Sequence, residues 1–395
     1  MNEKPARNTG PASGPGPNAR PNQGLIGQKG GRNALDTPAL VLDLDALERN
    51  ISAMAAHAKA AGVALRPHAK THKSVEIARR QVAAGAIGIS CVTLGEAEVM
   101  VRAGLPGVHV TSPQVTPSKI ARLMALNRDA PRGLSVAVDH PENLRALSEA
   151  ASLSGKSLSV MIDFSAGHNR TGCANPSDAL ALARAARGAA GIDIAGIQSY
   201  SGQLQHISSR AERRDRVLEQ AGILRELLRA LEREGLAMPV VSGGGTGSFD
   251  LDPEARVFTE LQVGSYVFMD VDYLRAMKDG RNAPPFETAL FVQTAVVSVN
   301  AKDYVTTDAG LKCFATDGPL PEPALGAPPG SRYEFFGDEH GRFYVPPGSP
   351  RPALGDRVEC VTPHCDPTVN LHDFYHVVRG DTLVDIWPVD ARGKR

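Results

Sequence analysis

The chain has 395 residues, 42% of them hydrophobic and 22% charged, and Lys plus Arg equals Asp plus Glu at 43 each. That balance, with no basic stripe carrying interleaved aromatics, excludes nucleic acid as a partner. The longest apolar runs are strand-length, short of the roughly 18 residues that would suggest a membrane span. Five cysteines (Cys91, Cys173, Cys313, Cys360, Cys365) are odd in number, scattered and free of CxxC spacing, which points to reduced thiols in a cytoplasmic protein.

In chain order, residues 1–33 are rich in Gly, Pro, Asn and Arg and have no apolar h-region. They are expected to form a disordered tail rather than a secretory signal, because such a composition buries too little surface to offset ordering entropy. The stretch 37–43 is β-prone, lies ahead of the main repeat and is a candidate for pairing with a later β domain. A helix over 45–61 follows, with Leu47, Ile51, Met54 and Ala58 on one face. From 62 to about 267, β-rich runs at 63–65, 87–92, 108–111, 134–138, 159–163, 194–199, 239–242 and 261–263 alternate with amphipathic helical stretches. Eight such units imply an α/β fold, a closed (β/α)8 TIM barrel occupying 34–285. Beyond it the texture changes to alternating strands and Pro/Gly turns, which predicts a C-terminal, mostly antiparallel β domain over 286–395.

In such a barrel the active site gathers at the carboxyl ends of the strands. The first strand runs out into Arg66-Pro67-His68-Ala69-Lys70-Thr71-His72-Lys73. Lys70, crowded by Arg66, His68, His72 and Lys73, is expected to have a depressed pKa and to form a Schiff base with an aldehyde cofactor. After the seventh strand, Ser242-Gly243-Gly244-Gly245-Thr246-Gly247 offers backbone N–H groups without side-chain obstruction, as a phosphate requires. Gly264-Ser265-Tyr266, after the eighth, stands beside it, where phosphate sites recur in these barrels. A reactive lysine opposite a phosphate cradle points to pyridoxal phosphate. Arg170, after the fifth strand, is placed to orient the cofactor ring, and Tyr200, after the sixth, to line its site. His206 follows the same strand as a candidate general base. In the β domain, His364-Cys365-Asp366 read as an extended segment aims residues i and i+2 at one point, so His364 and Asp366 can share a divalent metal. That ligand pair suits Mn²⁺, Co²⁺, Zn²⁺ or, less well, Mg²⁺. The alternatives are a solvated basic loop at 66–73, a plain turn at 242–247 and a capped turn before Pro367.

Together these motifs, with Thr37-Pro38-Ala39-Leu40-Val41 and Gly264-Ser265-Tyr266-Val267-Phe268-Met269-Asp270, resemble the D-threonine aldolase and D-serine dehydratase group of pyridoxal-phosphate enzymes. That group shares its barrel-plus-β-domain architecture with alanine racemase. The resemblance implies that Lys70 carries the cofactor, that His364 and Asp366 bind the metal, and that the protein forms a head-to-tail homodimer. His364-x-Asp366 is similar to the His-x-Asp of the aldolases, which use manganese or related ions; the dehydratase branch looks like His-x-Cys, favouring zinc. The expected activity is therefore cleavage of D-threonine and related D-3-hydroxy amino acids to glycine and an aldehyde. A dehydratase giving a keto acid and ammonia is the alternative. A non-catalytic pyridoxal-phosphate-binding protein is a distant third, since such proteins lack an appended β domain with a metal motif.

Overall fold

The computed structural model describes residues 20–130, 133–278 and 286–395. Most of the expected tail, and the expected domain boundary at 285, lie outside the described residues. Residues 20–33 do not behave as a tail: they form 3-10 turns at Gln23–Leu25 and Gly31–Ala34 on the β domain. Arg32 is the reason, since its buried guanidinium makes a two-point contact with Glu359 at 2.8 and 2.7 Å. Composition did not reveal this partner, 327 residues away.

Strand β1 (Ala39–Asp43) leads into helix α1 (Leu44–Ala61). Asp43 caps that helix by accepting the Ala46 N–H, and Gly62 ends it at φ 70°, a left-handed conformation that suits glycine. Its Leu47, Ile51, Met54 and Ala58 face is buried as expected. The barrel strands follow as β2 (Ala64–Leu65), β3 (Ser90–Cys91), β4 (Val108–Val110), β5 (Leu134–Val138), β6 (Leu158–Asp163), β7 (Ile192–Ser199), β8 (Val240–Gly243) and β9 (Glu260–Leu261). Each of the eight predicted runs overlaps one. Helices α2 (Val75–Ala83), α3 (Leu94–Arg102), α4 (Pro117–Asp129), α5 (Pro141–Ser154), α6 (Pro176–Arg187) and α7 (Arg210–Arg233) connect them, and α8 (Val271–Ala276) follows β9.

The eight strands are all parallel in the order β2-β9-β8-β7-β6-β5-β4-β3, and a His68–Ser90 bridge joins the two ends, closing the ring. The strand–helix repeat lapses once. Between β8 and β9 stand only the 3-10 turns Thr246–Ser248 and Asp252–Ala255, where a run of glycines and Pro253 disfavours a helix. The barrel interior below the site is polar. Arg66 grips Glu260 at 2.8 and 2.9 Å, and His109 bridges Ser135 Oγ and Gln198 Oε1 at 2.9 and 2.8 Å.

The second sheet is built from β10 (Leu290–Ser298), β11 (Val305–Thr307), β12 (Glu322–Leu325), β13 (Arg332–Phe335), β14 (Gly341–Tyr344), β15 (Arg357–Val361), β16 (Phe374–Arg379) and β17 (Thr382–Pro388). Its pairings are antiparallel except that of β1 with β16. β1 lies between β10 and β16, so the chain starts in the β domain before entering the barrel. Strand β12 carries no apolar alternation in sequence, since its residues are mostly exposed and include Pro323. Helix α9 (Cys365–Val369) follows β15.

Candidate active site

A pocket opens at the carboxyl ends of the barrel strands. Lys70, Arg170, Tyr200, Gly245, Thr246, Gly264 and Ser265, from five different loops, all line it. Lys70 follows β2, and its Nζ reaches across to Asp366 Oδ2 in the first turn of α9. The sheet of the β domain therefore delivers a carboxylate to the barrel's reactive-amine candidate.

This pairing corrects the expected electrostatics of Lys70. Burial lowers its pKa, but the Asp366 carboxylate, aided by Tyr200, outweighs burial and raises it above the usual lysine range. The cations presumed to crowd Lys70 are otherwise engaged. Arg66 is held by Glu260, and Lys73 is buried against Glu96, whose carboxylate also caps α3. Burial drives His68 well below its ordinary value and His72 to about 4, so both are neutral near pH 7. Asp366 is held low: burial pushes it up, while Lys70 and then His364 pull it further down.

The geometry at 364–366 also differs from expectation. His364 is extended, at φ −144°, but it caps a helix, so Asp366 lies on a helical turn rather than two residues along a strand. The Thr368 O–H donates to His364 O at 2.8 Å, and Thr368 Oγ1 also accepts the Ala315 N–H, fixing that turn. Cys365 is buried outside the pocket lining, with its N–H on Asp270 Oδ2 at 2.8 Å and its Sγ 3.5 Å from Asp366 Oδ1. Asp270 also caps α8 through the Tyr273 N–H, so one carboxylate couples the barrel's last helix to the turn carrying Asp366. His364 Nδ1 lies 2.9 Å from Asp317 Oδ2. Among the described residues no cluster of three His, Cys, Asp or Glu side chains is arranged to hold a metal.

The glycine-rich loop divides by function. Gly245 and Thr246 line the pocket, whereas Ser242, Gly243 and Gly244 lie behind them. Ser242 Oγ accepts from Gln262, and a Cβ on Gly243 would sit 2.3 Å from Ser199 O, so these residues serve packing. Tyr266 contributes its backbone N–H to Thr246 Oγ1 at 3.1 Å, which ties the two loops together. Its ring is buried beside Phe286, with the hydroxyl on Gln81. The Arg170 guanidinium lies 5.5 Å over the Tyr200 ring. His206 does not line the pocket. It stacks 4.8 Å from Tyr273, which does, and its Nδ1 lies 3.1 Å from Asp272 Oδ2.

Several lining residues were not singled out from sequence: Thr111, Asp163, His168, Gln198, Gln262 and Tyr273; His68 was named only as a neighbour of Lys70. The available signal was position, since each except His168 lies at or just past the carboxyl end of a barrel strand or at the start of α8. Asp163 accepts from Thr171 Oγ1 at 2.9 Å, and burial pushes it to about 6.

A closed parallel barrel with an amine at the end of its first strand, glycine turns after the seventh and eighth, and a β domain reaching back to that amine defines an alanine-racemase-like protein. Residues 42–272 match the family model for the alanine racemase N-terminal domain, and 289–378 match a putative serine dehydratase domain. The chain belongs to this family, within its D-threonine aldolase and D-serine dehydratase group. It is 44% identical to a D-threonine aldolase of an Arthrobacter species, over 91% of this chain and 93% of the relative. It is 38% identical to a 3-hydroxy-D-aspartate aldolase of Paracoccus denitrificans (strain Pd 1222), with the same coverage. The crystal structure of D-threonine aldolase from Filomicrobium marinum superposes with a TM-score of 0.87 at 41% identity, covering 92% of this chain and 96% of that one. A D-threo-3-hydroxyaspartate dehydratase from Delftia sp. HT23 gives a TM-score of 0.81 at 27% identity, covering 90% and 98%.

Membership of this family implies pyridoxal phosphate, and the pocket fits it. Lys70 is the one lysine in its lining, backbone turns at Gly245 and Gly264 approach without side chains, and His168 leaves Nε2 buried without a partner. A Cβ on Gly264 would meet Thr71 Oγ1 at 2.6 Å, so the eighth turn requires glycine on steric grounds.

Proposed function

We propose that the protein is a carbon–carbon lyase that cleaves D-threonine and related D-3-hydroxy amino acids to glycine and an aldehyde. It uses pyridoxal phosphate and a divalent metal, with Mn²⁺ favoured and Co²⁺, Zn²⁺ or Mg²⁺ also suited. The observation that carries this reading is the meeting of Lys70 and Asp366, 296 residues apart, at the pocket. It supports the reading by bringing the lysine proposed to hold the cofactor and the carboxylate proposed as a metal ligand to one small pocket.

Pyridoxal phosphate, when bound, supplies an electron sink for the bond broken at Cα. Lys70 is the residue that holds it covalently. Gly245, Thr246, Gly264 and Ser265 hold its phosphate, with Ser242, Gly243, Gly244 and Tyr266 keeping those turns in place, and Arg170 with Tyr200 orients the ring. With Lys70 engaged, Asp366 loses its counter-charge while remaining buried. Asp366 and His364 would hold a divalent cation there, which would restore that charge and supply a Lewis acid for the substrate hydroxyl. Asp317 keeps His364 in register, a carboxylate–histidine arrangement common behind metal ligands. His206 stands outside the pocket lining with Nδ1 toward Asp272, and its Nε2 would accept the proton of the β-hydroxyl through a bridging water.

The protein acts on a small molecule in the cytoplasm as a head-to-tail homodimer, without nucleic acid or membrane. All five cysteines are free and buried, and among the described residues no helix is long and apolar enough to cross a membrane. The purified holoenzyme given D-threonine should release acetaldehyde and glycine in equal amounts and leave L-threonine untouched. Stoichiometric 2-oxobutyrate and ammonia, without aldehyde, would overturn this reading in favour of a dehydratase.

A further inference from the structure

Behind the glycine loop lies a buried acid that the proposed reaction does not use. Asp252, at the start of the turn Asp252–Ala255, is only 4% exposed. Its Oδ2 accepts from Ser248 Oγ at 2.7 Å and from the Gly245 N–H at 3.3 Å. Gln205 completes the network, donating from Nε2 to Ser248 Oγ and accepting the Gly247 N–H on Oε1, both at 2.9 Å. Gly244 has φ +69°, and a Cβ there would lie 2.4 Å from Asp252 Oδ2. Gly245 and Thr246 line the pocket on the other side, so a single layer of backbone separates this carboxyl from the phosphate position.

Among the described residues no cation offsets a charge on Asp252. Asp250 and Glu254 share its turn, and Arg210 and Arg214 of α7, packed against that turn, take those two carboxylates at 3.0 and 2.6 Å. The facing side chains Gln205 and Gln220 are neutral, and burial pushes the Tyr200 phenol above its ordinary range. Burial pushes Asp252 to about 7 against the opposing hydrogen bonds from Ser248 and Gly245, and Asp250 adds to the rise. A second, small cavity, of about 20 Å3, is lined by Asp252, Ser201 and Gln220, whose Oε1 is buried without a partner. It offers an acceptor for a protonated carboxyl, directly or through a water. An ionised carboxylate would instead face a phosphate dianion across low-dielectric backbone, like charge against like.

We infer that Asp252 is a proton-linked positioning residue of the phosphate loop: binding of the phosphate ester draws a proton onto its carboxyl, and ionisation of that carboxyl loosens the hold on the phosphate. The inference rests on the reading of Gly245, Thr246, Gly264 and Ser265 as the phosphate site. The test compares dissociation constants of pyridoxal phosphate and phosphate-free pyridoxal on cofactor-stripped wild type and Asp252→Asn, at several values from about pH 7 to 9. The ratio of the two cancels the bond to the lysine, and the ester's own second ionisation, near pH 6, is complete there.

In wild type the phosphate advantage should shrink with rising pH, at up to about tenfold per unit, and in Asp252→Asn it should stay flat. Equal slopes in the two proteins would overturn the inference while leaving the phosphate site standing. A ratio near one in both proteins would remove the phosphate site and the inference with it. If the variant does not fold, wild type alone decides through calorimetry in buffers of different ionisation enthalpy. At about pH 8 pyridoxal phosphate should take up close to one more proton than pyridoxal, and equal uptake would contradict the linkage.

Discussion

At the scale of single residues, Lys70 and Lys73 show how partners decide the role of a side chain. Both lie in one octapeptide, but Lys73 is buried against Glu96 whereas Lys70 lines the pocket. The position of Lys70 was legible because the strand and its basic turn are contiguous. The direction of its pKa was not, because Asp366 arrives from another domain. His206 was legible only as a histidine past a strand; its packing on Tyr273 and Asp272 depends on α8, which sequence periodicity did not place. General-base assistance is commonly worth about 10² to 10⁴ in rate. His206→Ala should therefore lose aldol cleavage by roughly that factor while D-threonine binding, followed by the cofactor's absorption spectrum, survives. A variant as fast as wild type would remove His206 from the mechanism.

At the scale of elements, the start of α8 is the joint of the site. Asp270 takes the Tyr273 N–H at 2.9 Å and the Cys365 N–H at 2.8 Å, and Asp272 meets His206 two residues later. Cap loss typically costs about 0.5–2 kcal/mol, and a second N–H left unpaired in a buried place adds to that. Asp270→Ala should therefore lower stability to denaturant by about 1–3 kcal/mol. It should also weaken competition of the protein with a chelator for metal, since α9 would lose its tether. Unchanged metal retention would show that α9 is held by its own sheet. The turn at 364–366 was misread as extended because three residues carry no periodicity; Asp270, the partner that sets the helix, is 95 residues away.

At the scale of the whole molecule, the barrel was legible because eight apolar runs separated by amphipathic helices leave few alternatives. The polar floor of the barrel was not, since Arg66, His109, Gln198 and Glu260 look like surface residues until the ring closes. That floor has a cost in acid. Burial depresses both His72 and His109 to about 4, below the ordinary histidine value, so above pH 6.5 their neutral forms add no penalty. As pH falls from about 6.5 through 4 the unfolded chain binds protons that the native state refuses, and stability declines. Denaturant melts should show this loss. His109→Gln should flatten part of the slope relative to wild type, even if it is less stable at pH 7; an unchanged slope would mean His109 is not kept neutral.

The most direct test of the account asks which lysine carries the cofactor. The holoenzyme should be yellow, lose its absorption band on borohydride reduction, and yield on digestion a pyridoxyl-modified peptide with the mass tag on Lys70. Lys70→Ala should give no such adduct, while Lys73→Ala, provided it folds, should keep it. A tag on Lys73 or on any other lysine of the wild-type protein would contradict the assignment and, with it, the placement of the reaction in this pocket.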